Sequence, residues 1–146
     1  MSVQSHPVLG YDRSMAITGI DHIVLRVHNL EDAIVSFTRL GLTLTRRAEN
    51  PHVGKIAFFR LPDGFFFEVV EPLSPDSAIG MALAKRGEGI HTVALAVDNL
   101  AESKATLVEG GAPVLDGGAL AVAFLHPKAA HGVMLQINEP NPSLFE

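Results

Sequence analysis

A chain of 146 residues with a net charge of −5, no cysteine and no long basic run can bury about two thirds of its unfolded surface in one domain. It has no disulfide framework, thiolate nucleophile or cysteine zinc site, so any metal must rest on histidine, carboxylate or amide. The acidic balance gives no electrostatic case for nucleic acid or an acidic membrane, and no 18-residue apolar run crosses a bilayer, so a small molecule is the expected partner.

Met1 to Ala16 carries Pro7, Gly10 and Asp12 and lacks the apolar stretch of a secretory signal. It is expected to be a loose extension of a cytoplasmic protein, followed by one domain over 17–138 and a tail over 139–146. Ile20 to Val27 reads as a strand, with His22, Val24 and Arg26 on one face and Ile23, Leu25 and Val27 on the other. Asn29 caps a helix with Asp32 in its first turn; Leu30, Ala33, Ile34, Phe37 and Leu40 form its apolar stripe, and Gly41 stops it. Leu42 to Arg46, Lys55 to Leu61 and Phe65 to Val70 read as three further strands, the first two joined by the loop from Glu49 to Gly54.

Ser74-Pro75-Asp76 starts a linking helix over about 75–86, with Pro75 at its first position. The order then repeats: a strand over 90–97, a helix over 100–109 capped by Asn99, and strands near 113–116, 120–125 and 132–138.

This second set is a copy of the first. Ile20/Ile90, Leu25/Leu95, Val27/Val97, Asn29/Asn99, Leu30/Leu100 and Gly41/Gly111 are identical at an offset of 70. The Pro62-Asp63-Gly64 turn followed by Glu68 returns as Pro127 to Gly132 followed by Gln136, at an offset of 68. Two copies of about this length form one domain by duplication rather than a solenoid. The fold class is therefore α+β, with two tandem βαβββ modules over about 17–72 and 88–138.

Equivalent strand residues must face equivalent ways. If Ile23/Leu25/Val27 and Val93/Leu95/Val97 lie under the helices, then His22, Glu68, Thr92 and Gln136 converge around the pseudo-twofold axis. Alternation sends His91 to the helix side with Asp21 unless a bulge re-aims it. A carboxylate inside an apolar strand, as at Glu68, is costly without a partner or a metal.

Paired βαβββ modules with His22 on the first strand and Glu68 after a Pro-x-Gly turn resemble the vicinal oxygen chelate superfamily. Within it the chain looks most like the methylmalonyl-CoA epimerases, through Glu71 to Ser77, Lys85 to His91, Phe124 to Lys128 and Gly132-Val133. The resemblance implies a U-shaped eight-stranded mixed sheet around a cleft, a divalent metal ion as cofactor, a homodimer and one ligand from each of the four axial positions. Those positions read His22, Glu68, Thr92 and Gln136 here, whereas the epimerase pattern has His, Gln, His and Glu.

An amide oxygen can bind a metal but cannot act as a general base, so the expected metal set is His22, Glu68 and Gln136, with Glu68 also the catalytic base. Thr92 and Arg26 are the expected substrate-binding residues. In some epimerases the third strand supplies a second base; the matching position falls near Ala57, while Glu49 or His52 could enter from the adjacent loop. The expected function is a metal-dependent isomerase or lyase acting on the carbon α to a carbonyl, an acyl-CoA epimerase relative. The alternative is a metal-free binding protein of the bleomycin-resistance type.

Overall fold

The computed structural model describes residues 17–118 and 121–145. The expected N-terminal extension and the first residue of the strand expected over 120–125 lie outside them. The chain runs β1 (Ile17–Arg26), α1 (Leu30–Arg39), β2 (Leu44–Asn50), β3 (Gly54–Arg60), β4 (Phe66–Glu71) and α2 (Ala78–Arg86). It continues through β5 (Gly89–Val97), α3 (Leu100–Glu109), β6 (Val114–Asp116), β7 (Ala123–Leu125), a 3-10 turn (Pro127–Ala130), β8 (Leu135–Asn138) and a second 3-10 turn (Pro142–Phe145).

The strands form one mixed sheet of eight in the order β2-β3-β4-β1-β5-β8-β7-β6. β1 and β5 pair antiparallel at its centre, β4 lies parallel to β1, and β8 lies parallel to β5. This is the α+β duplication expected from the repeat, with each module's first strand at the seam.

The helix ends follow from the repeated residues. Asn29 Oδ1 accepts from the Asp32 amide at 2.9 Å, and Asn99 Oδ1 from the Glu102 amide at 3.0 Å, each cap worth about 1 kcal/mol. Both helices close alike: Leu42 N donates to Phe37 O and Ala112 N to Leu107 O, with Gly41 and Gly111 at φ +98° and +80° supplying the left-handed residue this closure needs.

Beneath α1, Val27, Leu30, Ile34, Ala57, Phe59 and Val69 form one core. On the opposite face Val24, Ile56, Phe58, Phe66 and Val70 form another. Val97, Ala123 and Ile137 pack with Leu95, Leu100 and Leu107 under α3. Leu25 and Val27 thus lie under α1 and Val24 on the other side, the division that strand alternation requires.

Three expected boundaries move. The linking helix begins at Ala78, capped by Ser77 Oγ, which accepts from the Gly80 amide at 3.0 Å. Ser74 to Ser77 instead form a turn closed by Ser77 Oγ donating to Ser74 O, against which Gly80 sits so closely that a Cβ would meet Ser74 O at 2.1 Å. β2 extends to Asn50, because Ala48 to Asn50 pair with Gly54 to Ile56 and leave only Pro51-His52-Val53 as loop. β7 ends at Leu125 as expected, but β8 starts only at Leu135, because Pro127 to Ala130 wind a 3-10 turn that ends in His131 at φ +54°.

Candidate functional site

On the side of the sheet away from α1 and α3 lies a cavity of about 770 Å³. His22 from β1, Glu68 from β4, Thr92 from β5 and Gln136 from β8 all line it, so the four axial positions share one space. None of the described residues lining it is Lys or Arg, whereas Asp21, Glu68 and Glu139 all do. The site favours a cation.

His22 is 5% exposed and stacks on Phe66, ring centroids 4.6 Å apart and 15° from parallel. Its Nδ1 meets Asp21 Oδ2 at 2.7 Å, and its Nε2 faces Glu68 Oε2 at 3.3 Å. Burial raises the Glu68 carboxyl above its ordinary value; the His22 imidazole opposes that rise and the Asp21 charge adds to it. Asp21 Oδ2 also accepts from Asn138 Nδ2 at 3.2 Å, and Asn138 Oδ1 accepts from Gln136 Nε2 at 3.1 Å. One hydrogen-bonded chain, His22–Asp21–Asn138–Gln136, therefore links the first module to the second.

That chain decides which atoms are unspent. With the Nδ1 proton given to Asp21, neutral His22 keeps a lone pair on Nε2; with the Gln136 amide nitrogen given to Asn138, its Oε1 is left over. One imidazole nitrogen, one carboxylate and one amide oxygen fit an oxygen-preferring divalent ion, and the carboxylate behind His22 is the usual support of a histidine ligand. Among the described residues no three His, Asp or Glu side chains gather into a metal-holding group, so such an ion needs the neutral Gln136 oxygen as its third protein ligand.

Arg26 does not line the cavity. Its Nε donates to Gly87 O at 2.8 Å and its Nη1 to Ile90 O at 2.7 Å, so the expected grip on an anionic substrate group gives way to a clamp between the end of α2 and β5. Ala57 packs in the core under α1, and Phe58 is the β3 residue paired opposite Glu68. Glu49 is exposed on β2, while His52 reaches the cavity from the turn between β2 and β3.

Two cavity residues depart from simple alternation. The β1–β5 register passes from Ile20↔Leu95 to His22↔Ala94 and from Val24↔Thr92 to Leu25↔Ile90. At these two shifts Asp21 on β1 and His91 on β5 are the extra residues, at equivalent places in the repeat, and both line the cavity. His91 Nδ1 is buried with no hydrogen-bond partner. Burial, then the charges of Arg26 and Arg86, push its imidazole down to about 4. The sequence signal is the adjacent polar pair Asp21-His22, matched by His91-Thr92, inside two otherwise apolar strands.

Residues 21–127 match the family model of the Glyoxalase/Bleomycin resistance protein/Dioxygenase superfamily. The Ethylmalonyl-CoA/methylmalonyl-CoA epimerase of Cereibacter sphaeroides is 27% identical over 129 residues, covering 82% of this chain and 96% of that one. The crystal structure of methylmalonyl-CoA epimerase from Mycobacterium tuberculosis superimposes with a TM-score of 0.78 at 31% identity, over 90% of this chain and 97% of that one. A Streptomyces coelicolor methylmalonyl-CoA epimerase variant in complex with 2-nitronate-propionyl-CoA gives a TM-score of 0.74 at 32% identity, over 86% of this chain and 99% of that one.

Proposed function

The chain belongs to the glyoxalase/bleomycin resistance protein/dioxygenase superfamily, and on that footing we propose that it is an isomerase of the acyl-CoA epimerase type. Its reaction moves the proton on the carbon α to a thioester carbonyl. The observation that carries this reading is the Glu68 carboxylate, held inside the cavity 3.3 Å from His22, where burial raises its proton affinity. A base whose pKa lies closer to working pH is more effective.

His22, Glu68 and the Gln136 amide oxygen would hold a divalent ion, which when bound supplies Lewis-acid polarisation of the carbonyl. Phe66 fixes the plane of the His22 ring and Asp21 its tautomer. Glu68 takes the α-proton; Gln136 cannot. The Thr92 hydroxyl faces the same space and positions a substrate oxygen. His52 is a further titratable group that the first module brings to the cavity.

Exchange of the α-proton of methylmalonyl-CoA in D2O, with cobalt or manganese supplied, tests the proposal. Exchange by the native chain and its loss in Glu68→Gln are expected; no exchange with either metal would sink the reading. The lack of a group of three His, Asp or Glu ligands among the described residues favours as second reading a protein that sequesters a ligand in this cavity. Saturable acyl-CoA binding without exchange, unaffected by chelator, would select it.

A further inference from the structure

The geometry points to His91 as a neutral hydrogen-bond donor to the substrate's carbonyl oxygen, taking up on the β5 side the charge that develops there as the α-proton leaves. The inference deepens the isomerase reading and rests on it.

It begins with the bulge. Between the pairs Val24↔Thr92 and Leu25↔Ile90, β5 has one residue with no counterpart on β1. That residue is His91, and the extra position brings its ring into the cavity beside Thr92 instead of under the helices. An imidazole could have been accommodated on the solvent side at little cost. Here its Nδ1 is instead buried without a partner, which costs about 1–3 kcal/mol and calls for an explanation; with Nδ1 closed off, Nε2 is the ring nitrogen that would carry the N–H toward the cavity.

The surroundings decide what the ring can do. Arg26 is fixed to Gly87 O and Ile90 O through its Nε and Nη1, so its charge is anchored near His91. Arg86 adds a second positive charge to the field at the ring. Together with burial, these charges keep the imidazole neutral, and a neutral ring carries one N–H polarised toward anything negative. A neutral imidazole so held is a known electrophile toward carbonyl and enediolate oxygens.

Placement matches the reaction. Glu68 on β4 and His91 on β5 flank β1, their strands two spacings or roughly 10 Å apart, and both residues line the same cavity. In the step, the C–H bond breaks, the proton passes to Glu68, and the electron pair moves to the carbonyl oxygen. His91 keeps its proton and donates only a hydrogen bond.

The test is steady-state exchange of the α-proton of methylmalonyl-CoA in D2O by the native chain, His91→Phe and His91→Gln, with melting curves confirming that each folds. For His91→Phe a loss in kcat of about 100-fold, the usual cost of one oxyanion donor, is expected with little change in KM. His91→Gln, whose amide N–H can donate, should recover at least part of it. Native-like kcat in His91→Phe, a defect confined to KM, or a Gln variant as slow as the Phe variant would overturn the inference while leaving the isomerase reading intact. No exchange by the native chain would instead defeat both. As a check that needs no turnover, adding 2-nitronate-propionyl-CoA, a planar anion, should move the His91 ring N–H resonance downfield; an unmoved resonance in the bound state overturns the assignment.

Discussion

His22 Nε2 faces Glu68 Oε2 at 3.3 Å while His22 Nδ1 is held by Asp21 at 2.7 Å. With the Nδ1 proton committed, a lone pair and a carboxylate can stand face to face only around a positive centre, either a proton or a metal ion. Metal uptake should therefore displace up to about one proton and tighten as pH rises. Calorimetric titration with manganese in two buffers of different ionisation enthalpy measures that release. In Glu68→Gln the release should vanish, and affinity should fall by more than the roughly 10–100-fold typical of losing an outer-shell partner.

Glu68→Gln should also stabilise the metal-free protein at neutral pH. Burial raises the folded-state pKa of Glu68, so the native chain binds this proton more readily than the unfolded chain does. Its contribution to stability is complete below the ordinary glutamate range and is lost as pH rises through the raised value. The melting temperatures of the two proteins should therefore diverge as pH rises across that window, with Glu68→Gln the higher by a few degrees, and converge at acid pH. Native protein melting higher at neutral pH would show that the ion pair with His22 outweighs desolvation.

Asn138 couples the two halves of the site: its amide nitrogen is bonded to Asp21 at 3.2 Å and its oxygen to the Gln136 amide at 3.1 Å. Asn138→Leu should free Gln136 to rotate and cost about 10–100-fold in manganese affinity. Asn138→Asp, which keeps the acceptor for Gln136 but sets a carboxylate against Asp21, should fold less stably at neutral pH than at acid pH. Equal metal affinity in Asn138→Leu and native protein would remove Asn138 from the site.

The repeat at offsets of 70 and 68 made the fold legible, because duplicated caps such as Asn29 and Asn99 and duplicated turns force the same local hydrogen bonds twice. Alternation likewise placed His22, Glu68, Thr92 and Gln136 on one side, since a strand of period two leaves no choice. It failed at Asp21 and His91, each an unpaired residue at a shift in the β1–β5 register, and a bulge is a property of the pairing, not of either strand's own pattern. The partners of Arg26 were hidden for a related reason. Its face was legible from β1, but the carbonyls of Gly87 and Ile90 that claim it come from a segment more than 60 residues away.

His91 makes the native chain sensitive to acid. Its imidazole is pushed down from 6.5 to about 4 in the folded protein, so between those values the unfolded chain takes up a proton that the native chain refuses. Stability from this group is present above about 6.5 and falls as pH drops toward 4. Urea midpoints measured across this interval should decline more steeply for the native chain than for His91→Gln. Parallel slopes would mean that His91 is already protonated in the folded state.

Arg26 should behave as a structural residue. Arg26 is 7% exposed, and its guanidinium donates to Gly87 O and Ile90 O, joining β1 to the end of the linking helix and to the start of β5. Arg26→Met keeps much of the side-chain volume but strips two charge-assisted hydrogen bonds, so a loss of about 2–4 kcal/mol in urea unfolding is expected. The same change removes a positive charge beside His91, so the His91 imidazole should titrate at a higher pH, a shift that nuclear magnetic resonance can follow directly. Since Arg26 does not line the cavity, KM for methylmalonyl-CoA should change little under conditions where the variant is folded. A large rise in KM with native-like stability would instead restore Arg26 to the binding of an anionic substrate group.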